Sequence, residues 1–231
     1  MSKNRMYRNE WKYIINNNIA IGLKSKLESF LSVDSFASDT GYYVNSLYYD
    51  DLLDSNLFDN DIGTSDRHKY RIRYYNYDQG IHLERKNKEN EKSYKDSCIL
   101  DLQTYQRIRE FDIYDYLYDD NATLRMFCLN MVNKGLRPVV IIQYNRLAYT
   151  DSFNNIRITI DSKICASSDV DNFLCMGFIG NPVLLDNKSI LEVKFDSYLP
   201  AYIRGLITEY RLERTAFSKY VHGRRAVGKV L

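Results

Sequence analysis

The sequence predicts an α+β domain in which seven or eight mostly antiparallel strands form a barrel with helices around it. The main observation is that charged residues alternate with other residues on segments far apart in the chain. Four segments have a charged pair at spacing two, namely Glu10-Trp-Lys12, Arg71-Ile-Arg73, Glu84-Arg-Lys86 and Glu192-Val-Lys194, and in Arg157-Ile-Thr-Ile-Asp161 the polar Thr159 lies between the two charges at the same spacing. Residues i and i+2 of a strand lie on one face, so the charged residues share a face and apolar neighbours such as Trp11, Ile72 and Val193 form the other. The second observation is a length of 231 residues, 45% of them hydrophobic, which suits one domain of this class.

Alternating and helical spacings place the elements of the N-terminal half in order. Strands are predicted over residues 9–15, 43–50, 68–77, 80–87 and 92–99. The third and fourth of these strands form a hairpin around Asp78-Gln79-Gly80, because Asp and Gly favour tight turns. A helix is predicted over residues 18–32, where apolar residues recur at helical spacing. A short helix follows the second strand to about residue 59, and residues 60–66 form a polar loop.

The C-terminal half alternates helices with the remaining strands. Helices are predicted over residues 101–109, 119–133, 199–213 and 215–222, and strands over residues 137–150, 154–161 and 189–196. The first two of these strands form a second hairpin, and Pro200 lies in the first turn of its helix, where proline is tolerated. Residues 163–181 fit no single pattern. The strands can close into a barrel, although an open, strongly curved sheet fits the same pattern.

If the sheet closes, its charged face becomes an interior rich in Arg, Lys and Glu. Arg71 and Arg73 lie about 7 Å apart on one face, so their guanidinium groups repel each other unless an anion lies between them. Phosphate fits this position because its oxygens pair with guanidinium in a bidentate manner. Arg157, from another strand, is expected to share the same anion. The lysines expected to add positive charge are Lys12, Lys86 and Lys194.

Three carboxylates, Glu10, Glu84 and Glu192, share this charged face. Such carboxylates could hold Mg²⁺ or Mn²⁺, which are hard ions that need only one or two carboxylates in addition to phosphate oxygens. Alternatively, each carboxylate neutralises a neighbouring lysine in a buried network. Glu192 is expected to hold the metal, while both roles stay open for Glu10 and Glu84.

Composition and missing motifs exclude several function classes. The net charge is only +2, so the chain lacks the basic field typical of nucleic-acid binders, and no nucleic-acid partner is expected. The sequence has neither a P-loop motif nor a G-x-S-x-G elbow. His68, His82 and His222 are too scattered for a zinc site, and the four cysteines lack C-x-x-C spacing. No signal peptide and no long apolar run occurs, so a cytoplasmic protein without a membrane segment is expected.

Eight short motifs occur in the order in which a known family has them. They are Arg8-Asn-Glu-Trp-Lys-Tyr13, Val44-Asn-Ser-Leu-Tyr-Tyr-Asp50, Lys69-Tyr-Arg-Ile-Arg73, Leu83-Glu-Arg-Lys86, Gln143-Tyr-Asn-Arg-Leu-Ala148, Ile156-Arg-Ile-Thr-Ile-Asp161, Leu191-Glu-Val-Lys194 with Leu199-Pro200 after it, and Phe217-Ser-Lys-Tyr-Val-His-Gly223. In this order they resemble the VTC (vacuolar transporter chaperone) domain, the polyphosphate polymerase branch of the triphosphate tunnel metalloenzymes. Arg8 stands where the wider superfamily's E-x-E-x-K opening has its first Glu, which favours the VTC branch.

The resemblance implies that residues 1–231 form one domain, an eight-stranded antiparallel tunnel whose partners are ATP and inorganic polyphosphate. The implied reaction transfers the γ-phosphoryl group of ATP to the end of a growing polyphosphate chain. The residues that match the family's phosphate-binding positions are Lys12, Arg71, Arg73, Lys86, Arg146, Arg157 and Lys219, and Lys194 is expected to join them from the same face. Glu192 matches the ligand of a divalent metal, which implies Mn²⁺ or Mg²⁺. Catalysis is therefore expected to depend on Arg71, Arg73, Arg157 and Glu192.

Two positions depart from the family pattern. The family often has a basic residue in the loop after the second strand, but the stretch Phe58-Asp-Asn-Asp61 has none, and Ala216 stands three residues before Lys219 where another basic residue is expected. Two alternatives to a polymerase therefore stay open. One is hydrolysis of inorganic triphosphate with water as the acceptor, and the other is a non-catalytic module that binds polyphosphate or nucleotide.

Overall fold

The computed structural model of the chain describes residues 7–34, 38–76, 80–90 and 92–228. Strands in these residues form one sheet. In chain order they are β1 (Asn9–Ile15), β2 (Ser32–Val33), β3 (Tyr42–Asp50), β4 (Asp66–Tyr75), β5 (Ile81–Glu89), β6 (Lys92–Leu100), β7 (Arg137–Asp151), β8 (Ile156–Ser167), β9 (Asn181–Pro182) and β10 (Ser189–Phe195). Each of the eight predicted strands corresponds to one of the long strands. The predicted turn at Asp78-Gln79-Gly80 lies, apart from Gly80, outside the described residues.

The eight long strands follow one another in the order β1-β10-β8-β7-β3-β4-β5-β6, and every neighbouring pair is antiparallel. The two edge strands come together at a single bridge just before β1. The Arg8 N–H donates to the Ser93 carbonyl at 3.1 Å, and the Ser93 N–H donates back at 3.3 Å. The predicted antiparallel barrel is therefore confirmed as a strongly curled sheet. Within the described residues, no longer ladder joins β1 to β6, and a seam separates the two edges.

Six helices accompany the sheet in the described part of the chain. They are α1 (Asn17–Phe30), α2 (Ser55–Ile62), α3 (Leu102–Arg109), α4 (Ala122–Lys134), α5 (Ala201–Glu209) and α6 (Lys219–Ala226). Polar side chains fix where four of them begin, because each accepts a hydrogen bond from a free N–H of the first turn. These capping residues are Asn16, Asp101, Asn121 and Ser218.

Two apolar clusters cover the convex face of the sheet. Helices α1 and α5 pack over β1, β8 and β10, and Leu27, Ile203 and Val193 belong to the apolar cluster between them. Helices α3 and α4 pack over β3, β4 and β5, with Phe127 against Tyr49 and Tyr70. Burial of one whole face explains why the apolar residues of each strand alternate with charged residues on the concave face.

A third apolar cluster lies inside the curled sheet, where α6 packs against β7 and β8. Gly223 of α6 lies so close to Ile142 that a Cβ atom there would be only 2.5 Å from the Ile142 Cδ1. Arg224 anchors the same helix through two contacts with the Asp54 carboxylate, at 2.9 and 2.8 Å. Helix α6 thus fills one end of the interior, and the space left beside it is lined by the charged residues.

Strand β8 is longer than predicted. It was expected to end at residue 161, but it continues to Ser167. The register with β7 shifts between Gln143 and Asn145, and Lys163 has a positive φ of 50°. This bulge interrupts the alternation of side chains, and the residues between Ser167 and β9 are mostly bends, turns and irregular segments, so residues 163–181 fit no single pattern.

The last two helices are shorter than predicted. Helix α5 ends at Glu209, and Arg211 shortly afterwards has a φ of 49°, which a helix does not allow. Helix α6 begins at Lys219 instead of residue 215, because the Ser218 side chain caps it by accepting a hydrogen bond from the Val221 N–H.

Candidate functional site

The register of the sheet brings the predicted charges together on the concave face. Glu10 lies opposite Lys194 and Lys12 lies opposite Glu192 across β1 and β10. Arg71 of β4 lies opposite Glu84 in β5 in the same way. Directly opposed residues of an antiparallel pair point to one side and interact. The spacing of two therefore produces a network in which cations and carboxylates alternate across neighbouring strands.

Two cavities open along this face. An inner cavity of about 70 Å³ is lined by eight cations and one carboxylate, namely Lys12, Lys69, Arg71, Arg73, Lys86, Arg146, Lys194, Lys219 and Glu192, together with Tyr48, Tyr144, Ser218 and Tyr220. An outer cavity of about 420 Å³ shares Lys12, Lys69, Lys86 and Ser218 with it. The shared residues show that the two cavities adjoin. Of the predicted phosphate-binding residues, the inner cavity collects all except Arg157.

Glu84 is the counterion of the two predicted arginines. Its carboxylate lies 2.7 Å from the Arg71 Nε and 2.6 Å from the Lys95 Nζ, and Arg73 approaches to 3.9 Å. Burial alone would raise the pKa of Glu84, but these three cations hold that pKa well below its ordinary value. Two of these cations are arginines, whose rigid guanidinium groups turn away less readily than lysine ammonium groups do, so the structure favours a neutralising role for Glu84.

Asp161 neutralises two further cations. It is fully buried and accepts a bidentate pair from Arg146 at 2.7 and 2.8 Å, while the Lys219 Nζ lies 2.6 Å away. Burial would raise the pKa of Asp161, but Arg146 and Lys219 hold it below its ordinary value. Sequence reasoning placed Asp161 on the charged face without giving it a role.

Glu10 and Glu192 form a second acidic group with three lysines. Glu10 lies 3.0 Å from the Lys12 Nζ and 2.7 Å from the Lys86 Nζ. Glu192 lies 2.6 Å from the Lys194 Nζ and 3.9 Å from that of Lys12. Burial and the neighbouring Glu10 would raise the pKa of Glu192, but the lysines lower it to about 2. Both carboxylates are therefore ionised at neutral pH.

This pair is the position that best fits a divalent metal. Glu10 and Glu192 are on adjacent strands and share Lys12, and one or two carboxylates suffice for Mg²⁺ or Mn²⁺ when phosphate oxygens complete the shell. The described residues contain no group of three or more His, Cys, Asp or Glu side chains arranged to hold a metal by themselves. The donor set thus fits a metal that binds together with a phosphate ligand.

Lys69 is a tunnel residue that sequence reasoning did not assign. Its Nζ donates to the Ser218 Oγ at 3.0 Å and lies 5.5 Å from the centre of the Tyr220 ring. Among the described residues, no carboxylate lies within 4 Å of it. Burial, followed by the charges of Lys86 and Lys12, lowers the pKa of Lys69 well below its ordinary value. The signal was its spacing of two from Arg71.

Arg73 differs from Arg71 because its close partners are uncharged. Its Nε donates to the Ser46 Oγ at 2.9 Å and its Nη2 donates to the Tyr144 hydroxyl at 3.2 Å. Arg71 also donates to a phenol, that of Tyr48, at 3.1 Å. Sequence reasoning missed these polar partners, although Ser46 and Tyr48 alternate on β3 as interior residues do. Arg73 therefore keeps most of its charge available for an anion.

Arg157 does not join Arg71 and Arg73, contrary to expectation. It pairs with Asp34 at 2.7 Å, donates to the Tyr42 hydroxyl at 3.1 Å, and its side chain is 35% exposed. Neither cavity includes it. The three arginines share one face of the sheet, but Arg157 lies on β8 with a carboxylate of its own. The expected anion therefore has Arg71 and Arg73 as its arginine partners.

The outer cavity has basic residues in its lining although the sequence lacks the two basic residues that the family pattern leads one to expect. Ala216 lines this cavity, and so do Arg67, Lys88 and Arg214. Asn60, which belongs to the stretch without a basic residue, accepts a hydrogen bond from the Arg67 Nε at 3.1 Å. The cavity thus keeps a basic lining from different positions of the chain.

A family model, the VTC domain, matches residues 7–227. The chain belongs to the VTC domain family. The resemblance that the eight motifs indicate is thereby confirmed over almost the whole chain. A search of curated protein sequences found no match.

Solved structures are similar to this VTC domain at low sequence identity, and that of a Vibrio parahaemolyticus protein shares its fold. A candidate adenylate cyclase from Vibrio parahaemolyticus is 10% identical, with a TM-score of 0.52, and the match covers 95% of this chain and 98% of that one. A candidate adenylate cyclase from Bacillus halodurans is 12% identical, with a TM-score of 0.49 and coverage of 90% and 93%. The PH1819 protein from Pyrococcus horikoshii is 13% identical, with a TM-score of 0.48 and coverage of 93% and 96%. In the described part of the VTC domain, no helix is long and apolar enough to cross a membrane.

Proposed function

We propose that this VTC domain is a polyphosphate polymerase that transfers the γ-phosphoryl group of ATP to a growing inorganic polyphosphate chain. The observation that supports the proposal best is the lining of the inner cavity, where eight cations face one carboxylate. Buried like charges repel, so such a lining favours a ligand that carries several negative charges in a row. A triphosphate and a polyphosphate chain both have this property.

The two cavities suggest how such a ligand is arranged. The inner cavity, beside Arg71 and Arg73, would hold the phosphoryl group that is transferred. The outer cavity is six times larger in volume, at about 420 Å³ against about 70 Å³, and its basic lining would hold further phosphates. Lys12, Lys69 and Lys86 belong to both cavities and would contact the chain where it passes from one to the other.

Positioning and charge stabilisation account for the reaction in this proposal. Phosphoryl transfer needs no nucleophile from the protein, because an oxygen of the polyphosphate end attacks the γ-phosphorus and the ADP oxygen leaves. Arg73, with its neutral partners Ser46 and Tyr144, would donate to the equatorial oxygens where negative charge is concentrated. Fixed donors in a confined cavity also hold the two reacting oxygens in line.

Glu192 and Glu10 are the residues that would hold Mn²⁺ or Mg²⁺. When bound, such an ion would neutralise negative charge on phosphate oxygens. In the ligand-free protein, Lys12, Lys86 and Lys194 satisfy these carboxylates. Lysine ammonium groups are flexible point charges, so Lys12, Lys86 and Lys194 could leave these carboxylates and contact phosphate oxygens instead.

That lysine neutralisation also supports the second candidate, a module that binds polyphosphate without catalysis. If the lysines stay on Glu10 and Glu192, the tunnel binds anions but no metal. Incubation of the protein with ATP and Mn²⁺, followed by gel electrophoresis and phosphate release assays, separates the alternatives. Long polyphosphate chains support the polymerase, orthophosphate alone indicates a triphosphatase, and binding without either product indicates the module.

A pair of lysine variants, one inside the tunnel and one outside it, tests whether the reaction takes place in the tunnel. Lys134 lies at the exposed end of α4, on the convex side of the sheet, whereas Lys12 lines both cavities. Lys12→Met is expected to abolish chain formation, and Lys134→Met is expected to leave it unchanged. Equal product from both variants would place the chemistry outside the tunnel.

A further inference from the structure

An apolar ledge lies on the concave face beside the tunnel arginines. It consists of Tyr75 of β4, His82 of β5 and Ile99 of β6. Arg73 lies opposite His82 in the register, and His82 lies opposite Ile99. Tyr75 follows Arg73 by two residues on the same strand. All three residues of the ledge therefore face the side of the sheet that carries the charged network.

The ledge is open to solvent. Ile99 is 75% exposed, and Tyr75 and His82 are partly exposed, whereas Cys98 and Leu100 on the other face of β6 are buried under the helices. The seam between β1 and β6 leaves the concave face of β6 uncovered. Exposed apolar side chains that cluster in one patch mark a binding surface more often than isolated ones do.

The rings of the ledge continue directly from the cationic site. The Tyr75 and His82 rings have centroids 6.0 Å apart, and Tyr42 of β3 extends the row with its ring 5.9 Å from that of Tyr75. The Arg73 guanidinium lies 6.0 Å from the centre of the Tyr75 ring. A ligand that contacts both Arg73 and the ledge would therefore have its charged group about 6.0 Å from its aromatic contact.

We propose that the ledge binds the purine base of a nucleoside triphosphate whose phosphates occupy the tunnel, an inference that rests on the proposed function. Such a nucleotide carries several charges at one end and a flat apolar ring at the other, which matches the order of the two surfaces. Bases stack on aromatic side chains because every base has a π-face. Inorganic polyphosphate has no group for the ledge. The ledge therefore favours binding of a nucleotide over binding of polyphosphate. It also places nucleotide entry at the end of the tunnel where β4 ends, which is the end away from α6.

Calorimetric titration of ATP and of inorganic tripolyphosphate into the whole protein tests this assignment. The double variant His82→Thr/Ile99→Thr removes both side chains from the ledge, and threonine is a β-branched residue suited to strands. The ATP affinity is expected to fall about tenfold, the scale of one lost stacking contact, while the tripolyphosphate affinity changes less than about twofold. Tyr43→Thr is the matched control, because Tyr43 is an exposed residue of β3 on the convex face. It is expected to bind both ligands as the wild type does.

Each outcome has a distinct meaning. An equal loss for both ligands, or no loss for ATP, would overturn the ledge as a base site. A wild-type protein that binds neither ligand would refute the proposed function itself. Saturation-transfer NMR adds a second measurement, since the adenine H2 and H8 protons should receive saturation from the wild type and lose most of it in Ile99→Thr. Because Ile99 is 75% exposed, this single change leaves the fold intact.

Discussion

Replacing Asp161 by Asn removes the carboxylate that Arg146 and Lys219 share. Asp161 is fully buried and holds these cations at 2.6 to 2.8 Å. Removing one partner of a buried ion pair costs about 3–5 kcal/mol, because an uncompensated charge stays behind. A domain of this size loses about 2–4 °C in melting temperature per kcal/mol. The variant is therefore expected to melt about 6–20 °C below the wild type in chloride.

The same variant is expected to gain more from an added anion than the wild type does. Tripolyphosphate can take the place of the missing carboxylate between Arg146 and Lys219, and a ligand at a hundred times its Kd stabilises by about 2.7 kcal/mol. Circular dichroism melts in tripolyphosphate and in chloride of equal ionic strength measure this difference. Asp171→Asn is the control, because its pair with Arg109 has an 84% exposed carboxylate and is worth only about 0–1 kcal/mol.

Two results would contradict this reasoning. One is an Asp161→Asn protein that melts within about 2 °C of the wild type, less than the shift from 1 kcal/mol. The other is equal stabilisation of both proteins by tripolyphosphate. Acid should reproduce part of the effect in the wild type. The pKa of Asp161 is lower in the folded protein, so its stabilising contribution is present above its unfolded pKa of about 3.9 and is lost as the pH falls below that value.

Three further changes test the tunnel directly. Arg73→Gln should weaken tripolyphosphate binding about 10- to 150-fold, the loss of one charged hydrogen bond. Arg85→Gln, which removes an arginine from the opposite face of β5, should leave the tripolyphosphate affinity unchanged. Equal tripolyphosphate affinities of the wild type and Arg73→Gln in titration would exclude Arg73 from the site. Glu192→Gln should keep tripolyphosphate binding but lose metal-dependent turnover. If this variant shows the same metal requirement as the wild type in kinetic assays, the metal binds elsewhere. Burial lowers the pKa of Lys86 to about 8, and a bound anion raises it again. Tripolyphosphate binding should therefore take up protons and weaken as the pH rises through 8, whereas a constant affinity between about pH 7 and pH 9 would show that Lys86 does not contact the anion.

The spacing of charges predicted the strands and their concave face because it follows directly from the geometry of an extended chain. Residues such as Glu10 and Lys12 must share a face wherever the strand is regular. The register that pairs Lys12 with Glu192 was not readable, because it depends on how distant strands meet. The resemblance to the VTC domain supplied the set of site residues but not their partners within the protein.

Tertiary pairing explains why the sequence assigned Arg157 to the tunnel and left Lys69 unassigned. Arg157 has the spacing of a tunnel residue, but Asp34, 123 positions away in sequence, binds its guanidinium. No local sequence pattern indicates that a distant segment supplies the carboxylate partner. Lys69 lies two residues before Arg71 and so fits the pattern. Its lack of a carboxylate partner among the described residues becomes visible only once the nearby carboxylates are known to bind other cations.

The arrangement of charges in the tunnel bears on its stability and on the anion binding proposed for it. Most of its cations are held by internal carboxylates, Glu84, Asp161, Glu10 and Glu192 among them, because a buried charge without a partner is very costly. Lys69 lacks such a carboxylate among the described residues, and burial lowers its pKa accordingly. A bound polyanion would supply the missing negative charge beside Lys69. The same neutralisation of buried positive charge would therefore favour polyanion binding and stabilise the folded domain.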